Sequence, residues 1–437
     1  MRYCPDDAAS LVREPYWWSA RDRGGDDFPP AQSFDVVVVG SGYTGLNAAL
    51  TLAEAGTSVL VVEAGDLGEG GSTRNGGMVS GTLKVSHPDL EKNFGKERAD
   101  AIFFEAQNSV LFLEELIARH AIDCDYQRSG MYFAAYAPSH YDALAREAGQ
   151  LDKLGVETRM VPKHRQHMEL SSDIYHGGRI TTLAGGLHPA RYHAGLVAAC
   201  RRAGVRFATR CRVQALERQG SGYVLKTEKG VITAERVVIA TNAYTGAELQ
   251  WFRRRVIPIG SYIIATEELD PTFLAGLIPA RRMIQDTKRN LYYYRLSPDG
   301  RRMIFGGRTS FRRISETESA RRLHASMTDV FPALSDARLT HSWTGNVAFT
   351  FDSLPHLGSH DGVHYALGCC GQGVALMSHF GNCIARDMLG SGDRSAFALN
   401  PIPTVPGYTG NPWFIPVVGE YYRFRDWLER PARSPAA

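Results

Sequence analysis

Phe34 to Gly65 reads FDVVVVGSGYTGLNAALTLAEAGTSVLVVEAG. Val36 to Val39 form an unbroken apolar run, the pattern of a strand covered on both faces. Leu46, Ala49, Leu50 and Ala53 then recur at helical spacing, and Gly56 suits the position that closes a helix. The run SVLVV that follows is a second buried strand. A helical crossover makes two such strands parallel neighbours, so the stretch is a β-α-β unit and the fold class is α/β.

Between the first strand and the helix, Gly40, Gly42 and Gly45 form G-x-G-x-x-G, with Ser41, Tyr43 and Thr44 between them. Gly40 allows the tight turn, Gly42 lets backbone approach a pyrophosphate, and Gly45 permits close helix–strand packing. The helix N-terminus turns partial positive charge toward phosphates. Glu63, followed by Ala64, ends the second strand 23 residues after Gly40. A carboxylate there binds ribose hydroxyls and repels a 2′-phosphate. The expected ligand is a dinucleotide.

The next segment separates FAD from NAD. An NAD domain continues into more β-α-β units, whereas this chain enters GDLGEGGSTRNGGMVSG, Gly65 to Gly81. A cofactor that reaches past its pyrophosphate needs such a loop along its ribityl chain. Gly71, Gly76 and Gly77 let backbone run against a flat ring. Ser72, Thr73 and Met78 complete the stretch, and Arg74 and Asn75 either fix the loop or hydrogen-bond the ring.

The rest of the 437 residues, 44% hydrophobic and 22% charged, is ordinary globular sequence and suggests two or three domains, or two interwoven ones. A net charge of +3 gives no reason to expect nucleic acid. The arginine triplet Arg253 to Arg255 reads as a solvated face more than as a site for an acidic substrate. Seven cysteines with no C-x-x-C pair argue against a disulfide framework or a metal site. The first twenty residues lack a basic head and apolar run, and no window approaches a membrane span, so a cytoplasmic protein is expected. Residues 251–335 hold β-like runs with Pro-Asp-Gly turn chemistry, as for an antiparallel sheet inserted into the nucleotide-binding domain. GVHYALGCCGQGVALMSHFGNCIARDMLG, from Gly362, is again strand, glycine turn and helix.

With VVGSGYTGL, STRNGGM, IDCDY, GGLHP, ATNAYTG, YYYRLSPDGRRMIFGGR, WTGNVAFTFDSLPHLG and GCCGQGVALMSHFGNCIA in place, the chain resembles the glycine/D-amino-acid oxidase (DAO) family of FAD enzymes. The likeness is nearest to its γ-glutamylputrescine oxidase-like branch and runs from YWWSA near the start to YYRFRDWL near the end. The resemblance implies an α/β (α+β) flavoprotein of the DAO/glutathione-reductase type: a Rossmann-type FAD-binding domain with an inserted antiparallel-sheet substrate domain. The expected FAD segments are 34–85, 180–250 and 340–395. Residues 86–179 and 251–339 form the substrate cap, 1–33 an N-terminal arm and 396–437 a C-terminal extension. It adds Val213, Thr241, Asn242, Gly345 and the turn Gly371, Gln372, Gly373, Val374 to the cofactor contacts, the turn facing the pyrimidine side of the flavin. Arg74, Tyr244, Arg308, Trp343 and Gln372 are the expected catalytic and substrate-binding residues.

The implied reaction is oxidation of a C–N bond in an amine or N-substituted amino acid, of the γ-glutamylputrescine kind, by hydride transfer to flavin N5. Oxygen or an electron carrier then takes the electrons. A dehydrogenase feeding a quinone or carrier is the alternative, and a flavin-binding partner subunit without turnover is the third reading. The strand before Gly306 carries no lysine of the sort that activates oxygen in some family oxidases, which weighs toward the carrier. No cysteine stands in TGNVAFT, so the FAD is expected to be non-covalent. Among 14 histidines, His188 and His356 are nearest the cofactor segments, and neither has a compelling claim as base. Gln372, in a position where relatives commonly have histidine, donates without titrating. Arg308 either clamps a carboxylate or forms a sheet-edge ion pair. Tyr292, Tyr293 and Tyr294 cannot all face one side of a strand.

Overall fold

The computed structural model describes residues 10–25, 32–311, 314–391, 394–399 and 401–429. Parts of the expected arm (1–9, 26–31) and of the expected C-terminal extension (400, 430–437) lie outside the described residues, as do 392 and 393.

The β-α-β unit is present as strand Gln32–Val39, helix Tyr43–Glu54 and strand Val59–Val62. Its strands pair in parallel, Val36 opposite Val59 through Val39 opposite Val62. Strands Gly230–Ile239 and Val363–Leu367 extend the sheet in parallel on one side, and Arg206–Ala208 on the other. His356–His360 closes one edge antiparallel, and Gly230–Ile239 also ends an antiparallel meander begun by Val213–Gln219 and Gly222–Thr227. Alternate side chains serve opposite faces. Val36, Val38, Val59 and Val61 pack under the helices, while Val37, Val39, Leu60 and Val62 pack under the meander. Both faces are covered, which is why the sequence shows an apolar run here and no alternation.

The second sheet also has eight strands, in the order Leu339–Phe349, Ile257–Thr266, Met303–Gly307, Tyr292–Leu296, Met283–Asp286, Met131–Ala134, Gly178–Thr181 and Thr158–Val161. Pro298-Asp299-Gly300 makes the turn within its hairpin: Gly300 has φ +75° and its N–H donates to the Ser297 carbonyl. The sheet departs from the expected antiparallel pattern in one place. Met283–Asp286 and Met131–Ala134 run parallel because they come from separate passes of the chain and not from a hairpin.

Two expected segment limits also shift. Strands Gly178–Thr181 and Leu339–Phe349 straddle 180 and 340, yet both belong to the second sheet, the latter pairing along almost its whole length with Ile257–Thr266. Helix Lys96–Arg119, expected in the cap, buries Ala99, Ile102, Ala106, Val110 and Leu113 in the core of the first sheet. A ribbon of Met78–Ser80 with Ala184–Gly186 links the two halves, and helix Ile415–Leu428 lies at the second sheet, where Asp426 accepts from the Arg289 and Asn290 N–H groups. No helix among the described residues is long and apolar enough to cross a membrane.

Helices Tyr43–Glu54 and Gly373–Met388 cross closely at Gly381. A Cβ there would stand 2.2 Å from the Thr44 carbonyl oxygen and 2.8 Å from Asn47 Cβ. Backbone cannot yield like a flexible side chain, so Gly381→Ala forces the helices apart, a defect of the overpacking kind worth about 1–3 kcal/mol. The urea midpoint followed by far-UV circular dichroism should fall accordingly; an unchanged midpoint would mean that the contact is not close-packed.

Candidate active site

A cavity of about 1390 Å³ draws its walls from both sheets. From the first come Gly40 to Thr44, Glu63 and Ala64, Val213, Thr241, Asn242 and the turn Gly371 to Val374. From the second come Ser261, Tyr262, Tyr293, Arg308, Gly345 and Asn346, and the glycine-rich loop contributes Ser72, Arg74, Asn75, Gly76 and Met78.

The first strand ends in a turn only glycine adopts easily. Gly40 has φ +104°, and a Cβ on it would meet the Ala240 carbonyl oxygen at 2.9 Å. Helix Tyr43–Glu54 then begins at Gly42 with no side-chain cap, except that Ser72 Oγ accepts from the Tyr43 N–H at 3.0 Å. The Glu63 carboxylate accepts from the Ser41 N–H and hydroxyl at 2.9 and 2.7 Å and from the Gly65 N–H at 3.2 Å. Gly45 lies behind the wall: a Cβ on it would fall 2.0 Å from the Gly40 carbonyl oxygen.

The loop after the second strand is held by its own side chains. Asn75 Nδ2 donates to the Gly71 and Ser72 carbonyls, and Asn75 Oδ1 accepts from the Gly77 N–H. Arg74 donates to the Glu69 carbonyl at 2.7 Å and the Thr344 carbonyl at 3.0 Å, and its guanidinium stacks on Trp18 at 4.4 Å. Of the two roles open to Arg74 and Asn75, these bonds serve loop fixing. Trp343, expected at the substrate, is instead fully buried behind the loop, its Nε1 donating to the Arg74 carbonyl at 3.0 Å. Trp17 does the same to the Asn75 carbonyl at 2.9 Å. Thr73 is buried between Gly68 and Trp18, and Gly77 (φ +70°) is pressed against Leu187, so neither reaches the cavity. Among the described residues no partner takes the N–H of Asn75 or Gly76, and both line the cavity.

Around the far wall, Tyr244 takes the Asn346 N–H at 3.1 Å, and Asn242, at φ 45°, takes the Gly368 N–H at 2.9 Å. Gln372 precedes helix Gly373–Met388, with its Oε1 accepting from Ser80 at 3.0 Å. Of the three tyrosines, Tyr293 faces the cavity and bonds Ser261 Oγ at 2.8 Å, and burial pushes its hydroxyl up to about 12. Tyr294 stacks on Phe305 in the opposite core, and Tyr292 lies under the Lys288 ammonium.

Neither suspected histidine lines the cavity. His188 caps helix Pro189–Arg202 through the Arg191 N–H and meets the Trp17 ring, and burial holds it down at about 4. His356 is buried against Asp352 at 3.0 Å. Cys369, expected with Cys370 to be the cysteine nearest the cofactor and read as a small buried residue before a turn, lines the cavity.

Three further residues escaped the sequence reading. Arg295 is buried and donates to the Gly77 and Leu187 carbonyls at 3.0 and 2.9 Å. Burial brings it down to about 10. Tyr262 OH accepts from the Ile314 N–H. Lys84 opens onto the cavity with its side chain exposed there; desolvation by the walls, aided by the Arg308 charge, brings its ammonium down to about 8. Arg308, pulled down by burial, lies over Phe349 at 4.6 Å. The titratable groups that act on these two cations are each other, Tyr293, Tyr422 and Cys370; no described carboxylate does. Nothing but nearness to the glycine loop could have singled out Lys84.

A model of the DAO family, FAD-dependent oxidoreductases, matches residues 35–386, and the chain belongs to that family. It is 32% identical over 402 residues to gamma-glutamylputrescine oxidoreductase of Escherichia coli K12, spanning 90% of this chain and 93% of that protein. It is 30% identical over 424 residues to a probable oxidoreductase, OrdL, of Haemophilus influenzae, spanning 94% and 96%. Among solved structures, glycine oxidase from Geobacillus kaustophilus matches with a TM-score of 0.72 at 23% identity, over 86% of this chain and 99% of that one. L-proline dehydrogenase from P. horikoshii matches at 0.69 and 20% identity, over 84% and 96%. The two structures share the fold. The site fits FAD: an uncapped helix start, a glycine cradle that a Cβ would fill, a carboxylate at the end of the second strand, and unpartnered N–H groups in the loop.

Proposed function

We propose that the protein oxidises a C–N bond in an amine that also carries a carboxylate, an N-substituted amino acid or a γ-glutamylated amine, using non-covalent FAD. Water then hydrolyses the imine to a carbonyl product and an amine or ammonia. The observation that carries this reading is the pair Lys84 and Arg308. Both cations line one cavity, and none of the carboxylates on its wall acts on either of them, so the pair attracts an anion. A substrate carboxylate supplies the missing anion, whereas a free polyamine adds more positive charge. The names of the relatives, gamma-glutamylputrescine oxidoreductase and glycine oxidase, support a substrate with both groups.

Bound FAD supplies the two-electron acceptor. The chain's own residues do the rest. Gly40, Gly42 and the first N–H groups of helix Tyr43–Glu54 take the pyrophosphate. Glu63, Ala64 and Val213 take the adenosine end. Ser72, Asn75, Gly76, Thr241, Asn242 and Gly345 flank the ring system, and Gly45, Thr73 and Gly77 shape the backbone from behind. The start of helix Gly373–Met388, with Gln372, faces the ring edge that gains negative charge, where its dipole is favourable. Arg308 and Lys84 hold the carboxylate, and Tyr244 and Tyr293 border the substrate space. Trp343 and Arg74 position the loop. The absence of lysine from Met303–Gly307 favours a dehydrogenase as second reading. Stopped-flow mixing of the reduced protein with air decides between them: rapid reoxidation supports an oxidase, and slow reoxidation with rapid quinone reduction supports a dehydrogenase.

FAD should leave on acid precipitation, and Glu63→Gln should weaken FAD about tenfold to a hundredfold, since charge-assisted bonds are worth about 1.5–3 kcal/mol. Titration of the apoprotein measures this. Flavin retained on a Cys369 peptide would exclude non-covalent binding, and an unchanged affinity would remove Glu63 from the ribose.

An anaerobic panel of amines, read at the flavin absorption band, tests the reaction itself. Amines with a carboxylate should bleach the flavin and simple diamines should do so poorly. Lys84→Met and Arg308→Met should each raise KM for the former by about tenfold or more, as expected for a lost charged partner. Bleaching by no amine would overturn the proposal, and equal response to diamines would overturn the carboxylate part.

The pH profile follows from the absence of histidine in the cavity wall. Only a neutral amine has the lone pair that drives hydride departure, and free alkylamines have pKa near about 10, like lysine. The flavin-reduction rate at low substrate should therefore rise with pH through an inflection that moves with the substrate's own pKa. Lys84 is charged below about 8 and loses its charge as pH rises through that value. Its contribution to carboxylate binding is thus present at neutral pH and fades above it. KM for carboxylate-bearing substrates should climb in that range, and KM for carboxylate-free analogues should not. A fixed inflection near about 6.5, the ordinary histidine value, would sink this mechanism.

A further inference from the structure

His379 and Cys383 lie one turn apart on helix Gly373–Met388, on a side that meets helix Lys96–Arg119. Glu105 reaches them from that second helix. Cys383 Sγ is 3.2 Å from His379 Nε2 and 3.9 Å from Glu105 Oε1, and His379 Nε2 is 3.3 Å from Glu105 Oε1. None of the three lines the large cavity. Two of the residues are four positions apart and the third stands far earlier in the chain, so no short metal motif marks them.

We propose that Glu105, His379 and Cys383 form a binding site for one thiophilic divalent cation, zinc by preference. Tetrahedral zinc holds sulfur at about 2.3 Å, imidazole nitrogen at about 2.0–2.1 Å and carboxylate oxygen at about 2.0–2.2 Å. Those bond lengths put neighbouring ligand atoms about 3.4–3.6 Å apart, so the three observed separations already outline one face of the tetrahedron. Thiolate, imidazole and carboxylate together favour zinc over magnesium or calcium. As the ion binds, the Cys383 thiol releases its proton to solvent. The dication then faces one thiolate, one carboxylate and a neutral imidazole, which balances the charge. The site is partly open, with His379 and Glu105 side chains 18% and 15% exposed, so a water can enter as fourth ligand.

An outer layer of contacts holds the ligands in place. Ser395 Oγ donates to Glu105 Oε1 at 2.6 Å, and the Ala396 N–H donates to Glu105 Oε2 at 2.6 Å. Such second-layer bonds orient ligating carboxylates. The Phe112 ring meets the His379 imidazole edge-on at 5.3 Å. A bound ion would tie together helix Lys96–Arg119, the segment at Ser395 and the helix whose first turn borders the cavity. His379 lies six residues beyond Gly373, about 9 Å along that helix at 1.5 Å per residue. The ion is therefore a structural staple and not a reactant.

The test uses the purified full-length protein, stripped with a chelator, dialysed, loaded with zinc chloride alone and gel-filtered. One zinc per chain should remain. Its X-ray absorption edge should show one sulfur at about 2.3 Å and nitrogen or oxygen at about 2.0–2.2 Å. Cys383→Ser and His379→Gln should lose the retained zinc while keeping the flavin spectrum. Ser395→Ala should weaken zinc affinity about 10–100-fold. If Cys383→Ser does not fold, wild-type protein answers the same question: zinc should shield Cys383 from iodoacetamide, read by peptide mass spectrometry. No retained zinc, a shell without sulfur, undiminished zinc in Cys383→Ser, or an unshielded thiol would each overturn the site, leaving a hydrogen-bonded cluster.

Discussion

The backbone between Gly70 and Gly77 has to run along the cavity with its carbonyls satisfied, leaving the Asn75 and Gly76 N–H groups without a partner among the described residues. Three donors from distant parts of the chain meet this constraint. Trp343 bonds the Arg74 carbonyl, Trp17 the Asn75 carbonyl and Arg295 the Gly77 carbonyl. Buried carbonyls without partners are costly, so Trp343 and Trp17 each remove a penalty of about 1–3 kcal/mol, while the Gly77 carbonyl also accepts from the Leu187 N–H. Each donor also ties the loop to a different neighbour: the strand Leu339–Phe349, the N-terminal segment, and the hairpin strand Tyr292–Leu296. The cavity exists because these three hold one irregular segment still.

This division of labour changes how the chemistry-bearing residues are understood. Trp343 and Arg74 look functional in a sequence because they are large, polar-tipped and close to glycine. In the fold Trp343 stands behind the loop and bonds the Arg74 carbonyl, while Arg74 lines the cavity and spends its guanidinium on the Glu69 and Thr344 carbonyls. His188 and His356 are similar cases. One caps a helix and the other pairs with Asp352, and both are too enclosed to exchange protons with a ligand. The wall carries groups that can bind and orient, among them tyrosine hydroxyls, amide N–H groups, Gln372, Lys84 and Arg308.

The fold was legible where local pattern and tertiary role coincide. The valine runs and G-x-G-x-x-G gave the β-α-β unit, and Pro-Asp-Gly gave the hairpin turn. The glycines of the loop were expected against a flat ring; in the fold Gly77 is pressed against the Leu187 carbonyl instead, and Gly76 lies against the Tyr293 ring. Sheet membership was not legible, because it depends on which distant strands meet. The parallel pairing of Met131–Ala134 with Met283–Asp286 joins residues about 150 apart, and no local signal encodes it. Helix Lys96–Arg119 was misassigned for the same reason, since its apolar stripe fits either core. Lys84 and Arg295 were missed because a lysine or arginine in sequence carries no mark of where the fold places it: Lys84 stands exposed on the cavity wall, and Arg295 is buried.

The electrostatics around Lys84 and Arg308 follow one sign. Two helices, beginning at Tyr43 and Gly373, direct the partial positive charge of their first turns at the cavity. Lys84 and Arg308 add two formal positive charges on which no described carboxylate acts. Glu63, Glu69, Glu248 and Glu316 line other parts of the wall, and Glu63 is the group proposed for a neutral ribose. A site this positive favours anions and disfavours ammonium groups, so in the proposed reaction the same field that grips a carboxylate also lowers the pKa of the substrate amine beside it. Making the amine neutral then requires no dedicated base. Its proton leaves to solvent before or during binding, and the histidines are free to serve as caps and ion-pair partners in the core.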